Sequence, residues 1–83
     1  MDILQIKGFT VRVFSFDEVA AAVDHPEILP GIVRAQPDGR LHIFPKNGIP
    51  VRMRPGEYAV VWPDGDIITT TESAVNSIKS QGA

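Results

Sequence analysis

Residues 3 to 14, ILQIKGFTVRVF, alternate apolar with polar positions and are rich in β-branched and aromatic side chains. That is the period of a half-buried strand. Gly8 divides the run, predicting a strand, a turn or bulge, and a second strand. The period then changes. In SFDEVAAAVDH, residues 15 to 25, Phe16, Val19, Ala20 and Val23 recur at helical spacing. Ser15 followed by Glu18 has the form of a capping box, and Asp17 lies in the first turn, where the helix dipole favours an acid. Pro26 pushes the residue before it out of helical geometry, so the helix is expected to stop near Asp24. HPEILPG reads as a connector.

From Gly31 to Thr70 the alternation returns, interrupted by Pro37-Asp38-Gly39, Lys46-Asn47-Gly48, Pro55-Gly56 and Pro63-Asp64-Gly65. In Pro-Asp-Gly, proline presets the first turn position, aspartate tolerates the second, and glycine takes a left-handed third. This predicts three-residue hairpin loops with positive φ at Gly39 and Gly65, and Lys46-Asn47-Gly48 suits the same geometry. The resulting register sets Ala35 opposite Leu41, Val33 opposite Ile43, Ile43 opposite Val51 and Leu41 opposite Met53. Those residues share an apolar face, and a slip of one residue would scramble it. The other face carries Arg34, Arg40, His42, Arg52 and Arg54. If Pro55-Gly56 continues the same sheet, Tyr58, Val60 and Trp62 join the apolar face beside Met53. Ala59, Val61 and Ile67 then fall on the arginine side, with Glu57 beside Arg54. That half of the arginine face would need a cover: a helix, curling toward a small barrel, or a partner chain. TTTESAVNSIKS predicts a second helix with Thr69 and Glu72 as capping box and an apolar stripe of Ala74, Val75 and Ile78. Gln81-Gly82-Ala83 is expected to fray.

The pattern as a whole predicts an α+β fold, an antiparallel β-meander with two short helices, in a single domain spanning 1–83. Composition changes this picture little. Hydrophobic residues make up 43%, ordinary for a folded domain, and there is no cysteine. Disulfides and thiolate metal sites are thereby excluded. The start of the chain lacks the features of a signal peptide, and no apolar run is long enough to span a membrane, so a soluble, cytoplasmic protein is the expectation. Eight Lys and Arg against ten Asp and Glu give a net charge of -2, which argues against strong nonspecific nucleic-acid binding.

Candidate chemistry concentrates on the arginine face. The register sets Arg40 opposite Arg54 and His42 opposite Arg52, like-charge pairs that cost stability. Arg34, Arg40, His42, Arg52 and Arg54 are therefore the candidate binding residues, for phosphate or for an acidic protein surface. The competing reading is a solvated face with arginines splayed into water. Trp62 and Tyr58 suit either base stacking or core packing. Asp64 and Asp66 flank a turn glycine and fall short of the ligand count of a calcium loop. No HExxH, P-loop, nucleophile elbow or paired-histidine spacing is present. No catalytic residue, cofactor or metal is expected.

NGIPVRMRPGEYAVVWPDGDIITTTESAVNSI, residues 47 to 78, resembles a pattern common in small bacteriophage and prophage proteins. There a strand leads into Pro-Gly, an acidic residue and an aromatic, then an apolar strand, a glycine turn and a short helix. Here these positions are Pro55, Gly56, Glu57 and Tyr58, then Ala59 to Trp62, then Gly65. The chain departs in having Tyr58 and in lacking the Tyr-Pro-x-Lys-Pro that often follows the turn. The resemblance implies a phage origin, and so a bacterial host, and attaches no activity. The function expected is that of a non-catalytic accessory protein that binds a partner protein, with inhibition of host machinery as the role associated with small phage proteins. Nucleic-acid or phosphate binding through the arginine face is the alternative, and a virion or assembly component, compatible with an open sheet edge, is the third. The same edge makes a homodimer a further expectation.

Overall fold

The computed structural model describes residues 1–81. In chain order it contains β1 (Asp2–Ile6), β2 (Phe9–Ser15), α1 (Phe16–Ala21), β3 (Gly31–Ala35), β4 (Leu41–Pro45), β5 (Val51–Met53), β6 (Tyr58–Val61), β7 (Ile67–Thr70) and α2 (Glu72–Gln81). The fold is α+β. Its strands form two antiparallel sheets, β1-β2-β6-β7 and β3-β4-β5. The fraying expected of Gly82 and Ala83 lies outside the described residues.

Local turn chemistry behaves as its residues dictate. Gly39 and Gly65 have φ of 86° and 93°. The Gln36 N–H donates to the Arg40 carbonyl at 2.9 Å, and the Trp62 N–H to the Asp66 carbonyl at 2.9 Å. Each Pro-Asp-Gly is thus a three-residue loop. β3 and β4 pair in the register set by Pro37-Asp38-Gly39, with Val33 opposite Ile43, and β4 and β5 in the register expected of Lys46-Asn47-Gly48, with Ile43 opposite Val51. The Lys46-Asn47-Gly48 loop is wider than the other two. β5 starts only at Val51, because Pro50 has no N–H to give to the ladder.

The meander does not continue through Pro55-Gly56. There the chain turns, the Glu57 N–H reaching the Arg54 carbonyl at 3.0 Å, and crosses to the other sheet. β6 pairs with β2, Val60 opposite Val13 and Ala59 opposite Phe14, and with β7. The expected faces of β6 are therefore reversed. Ala59, Val61 and Ile67 pack with Val33, Leu41, Ile43 and Met53 in the main core, between the two sheets. Val60 packs with Val11, Val13 and Val75 in a second core, against which Tyr58 and Trp62 rest. Ala59, Val61 and Ile67, expected on the arginine side and in need of a cover there, are covered by the opposing sheet. The sheets face each other and do not close into a barrel.

The helices cover what remains. Ser15 caps α1, with both bonds of the capping box formed. The helix ends at Ala21, earlier than expected, and turns carry the chain through Asp24. Val19 and Ala22 are buried, and Val23 is exposed. α2 starts at Glu72 because β7 runs to Thr70, paired with Tyr58. Its cap is Thr71, whose Oγ1 accepts from the Ala74 N–H at 3.1 Å, and not Thr69. Val75 is the buried residue of this helix. Among the described residues, no polar or charged side chain is buried, and no helix is long and apolar enough to cross a membrane.

Candidate functional site: the outer face of the three-stranded sheet

Val33, Leu41, Ile43 and Met53 point into the main core. Strand alternation therefore turns Ile32, Arg34, His42, Phe44 and Arg52 outward. The ladder sets Arg34 opposite His42 and His42 opposite Arg52, so these three form one row across the sheet. Ile32 stands opposite Phe44 in the adjacent row. Arg34 and Arg52 are exposed, and His42 and Phe44 are half-buried.

Contacts within the face order it. The His42 and Phe44 rings have centroids 4.2 Å apart at a tilt of 40°. The Arg34 guanidinium carbon lies 5.8 Å from the Phe44 centroid, within reach of the ring's negative face. Gln36 Nε2 lies 3.4 Å from His42 Nδ1. Together these restrict Arg34 without neutralising it. Among the described residues, no carboxylate lies within 4.0 Å of Arg34, Arg52 or Arg54.

The five sequence-predicted residues thus divide. Arg34, His42 and Arg52 come together in one row. Arg40 and Arg54 flank it beyond the strand ends and form no ladder pair. Arg40 is partly neutralised, its Nε lying 3.5 Å from Asp38 Oδ2, and its backbone N–H donates to Asp38 Oδ1 at 3.0 Å. The Arg54 backbone N–H donates to Glu57 Oε1 at 2.6 Å. The acid beside Arg54 therefore ties down the turn. Two members of the face, Phe44 and Ile32, were missed. Both have the strand parity of Arg34 and His42, and that parity was the signal.

Elsewhere the structure answers the other candidates. Tyr58 and Trp62 sit against the second core. Asp64 and Asp66 serve their turn: Asp64 Oδ1 accepts from the Asp66 N–H at 2.9 Å, and Asp66 Oδ1 from the Ile67 N–H at 2.8 Å. Among the described residues, no group of three or more His, Asp and Glu is placed to hold a metal ion. His25 Nδ1 lies 3.6 Å from Glu27 Oε1 at the surface, in the connector between α1 and β3 and outside the row. Comparison of the chain with protein-family models, curated proteins and solved structures finds no match in any of the three.

Proposed function

We propose that the protein is a non-catalytic binding module that docks on an acidic surface of a partner protein through the outer face of β3-β4-β5. One observation carries the reading: Arg34 and Arg52 flank His42 in a single row, and among the described residues no carboxylate answers either guanidinium. Each guanidinium presents a planar fork of donors suited to a carboxylate. A sheet face with an aromatic ring packed beside the arginine row offers area as well as charge, and Arg and aromatic residues are those that dominate binding at protein interfaces. Occupying a partner's surface in this way is the action expected of a small phage-type accessory protein that inhibits host machinery.

The second reading is nucleic-acid or phosphate binding on the same face. Phe44 beneath Arg34 favours it, since bases stack on such a pair. The net charge of -2 weighs against it, because affinity for a phosphate backbone rests on accumulated cations.

The test is NMR shift mapping with two probes, a hexaglutamate peptide and a short single-stranded oligonucleotide. The peptide is expected to move the signals of Arg34, His42, Phe44 and Arg52. Replacing Arg34 and Arg52 together by Gln is expected to remove the response and leave stability unchanged. These two are chosen because Arg40 is already engaged by Asp38. Oligonucleotide binding with a steep salt dependence, and no response to the peptide, would establish the second reading. Silence toward both would make the face a solvated surface.

A further inference from the structure

α2 covers only part of the outer face of the four-stranded sheet. Val75 is buried over Val11, Val13 and Val60, and Ile78 lies beside Leu4. At the other end of that face Phe9 is 56% exposed. Its ring meets Trp62 edge-on, with centroids 6.0 Å apart and an interplanar angle of 70°. Phe9, Trp62, Pro63, Asp64 and Asp66 line a cleft of about 240 Å³.

The charge of this cleft has one sign. Asp64 and Asp66 are its only ionisable lining residues. Their Oδ1 atoms are committed to backbone N–H groups of the turn, and the Asp66 carboxylate also packs over Gly48 of the neighbouring loop. No described cation lies within 4.0 Å of either carboxylate. Two aromatic rings at a wide angle, with acids at the edge, repel an anion and attract a cation: the ring faces and the carboxylates act in the same direction. An uncharged apolar ligand would leave the rim acids facing it without a partner.

We infer that this cleft receives an arginine or lysine side chain from a basic peptide segment of a partner protein. The alkyl stem would lie against Phe9 and Pro63, the cationic head would reach Trp62, and the rim carboxylates would accept its hydrogen bonds. The cleft belongs to the outer face of one sheet, and the arginine row to the outer face of the other. The two surfaces are opposite in sign and do not share residues, so either can exist without the other.

Trp62 is the sole tryptophan of the chain, so its fluorescence reports on this site alone. Titration with a tetra-arginine peptide at low ionic strength is expected to give a saturable change that added salt weakens. Replacing Asp64 and Asp66 together by Asn keeps an oxygen for each turn hydrogen bond and removes the charge. That double variant is expected to bind at least about tenfold more weakly, as is Phe9→Ala. Phe9 is exposed enough that its truncation leaves the fold standing, which circular dichroism checks. The inference is overturned if tetra-arginine leaves Trp62 unchanged, if tetra-glutamate produces the same change, or if the Asn variant binds as tightly as the parent. It is also overturned if sedimentation shows self-association that Phe9→Ala abolishes, because a second copy would then be the occupant.

Discussion

Gly48, in the loop between β4 and β5, lies directly beneath the Asp66 carboxylate, in the turn between β6 and β7; a side chain at Gly48 would collide with it. The neighbouring Asn47 Nδ2 donates to the Asp64 carbonyl at 3.1 Å. These contacts join one end of the three-stranded sheet to a turn of the four-stranded sheet. Gly48 also has φ of 145°, where L-residues are strained. Gly48→Ala is therefore expected to cost about 1 to 3 kcal/mol. A denaturation midpoint equal to that of the parent would show that the two loops are not held together as described.

The capping box at Ser15 offers a second measurement. Ser15 Oγ accepts from the Glu18 N–H at 3.3 Å, and the Ser15 N–H donates to Glu18 Oε1 at 2.9 Å. Ser15→Ala removes the first bond and is expected to lower stability by about 1 kcal/mol. Because Ser15 ends β2 and starts α1, thermal melting followed by circular dichroism reads the effect as a lower Tm.

Lys79 and Asp2 make stability depend on pH at both extremes. Lys79 Nζ lies 2.9 Å from Asp2 Oδ2 and ties α2 to β1. The hydrogen bond from Lys79, then its charge, holds the Asp2 carboxyl below its ordinary value of 3.8. The same bond, then the charge of Asp2, raises Lys79 above 10.5. The depressed carboxyl contributes stability that is present above 3.8 and lost as pH falls through its lower folded value. The raised ammonium contributes stability that is present below 10.5 and lost as pH rises through its higher folded value. Lys79→Met is therefore expected to lower Tm by a constant small amount between those limits, the difference shrinking toward both ends. Both groups are half-exposed, so added salt should reduce the difference. A Tm difference that grows in acid would contradict the pairing.

Ile43 is fully buried between the sheets and stands opposite both Val33 and Val51 in the ladder. Ile43→Ala is expected to cost about 2 to 5 kcal/mol, through lost burial and the cavity left behind. Urea unfolding should show a lower midpoint with an unchanged slope. A loss below 1 kcal/mol would place the core elsewhere.

The hairpins were legible in the sequence because turn chemistry is local. Pro37-Asp38-Gly39 and Pro63-Asp64-Gly65 specify their loops without help from the rest of the chain, and each loop fixes a register. The crossing at Pro55-Gly56 was not legible, because the same dipeptide serves a hairpin or a passage between sheets. What decides is the pairing of β6 with β2, set by residues far away in the sequence. β6 is covered on both faces, so Tyr58, Val60 and Trp62 and the alternate Ala59 and Val61 are all apolar, and alternation alone cannot say which set faces the main core. Thr69, Thr70 and Thr71 can each cap a helix, and the choice fell to the last because β7 takes the first two. In the candidate site, parity placed Arg34, His42 and Arg52 in one row. The same parity applied to Phe44, but an aromatic next to Pro45 at a strand end reads equally well as core until the ring is seen against Arg34.

The strand order β1-β2-β6-β7 has a kinetic consequence. Residues 31–53, the whole of the three-stranded sheet, lie in sequence between two strands that are neighbours in space. Pairing within β1-β2, β3-β4-β5 and β6-β7 joins close sequence neighbours and can form in microseconds. Joining Ser15 to Tyr58 closes a long loop, and its entropy is lost before the contacts are gained. A nascent chain that has not yet reached Tyr58 therefore carries β2 with an unpaired edge and Phe14 without its cover. Until β6 arrives, that edge is the place where two growing chains would adhere.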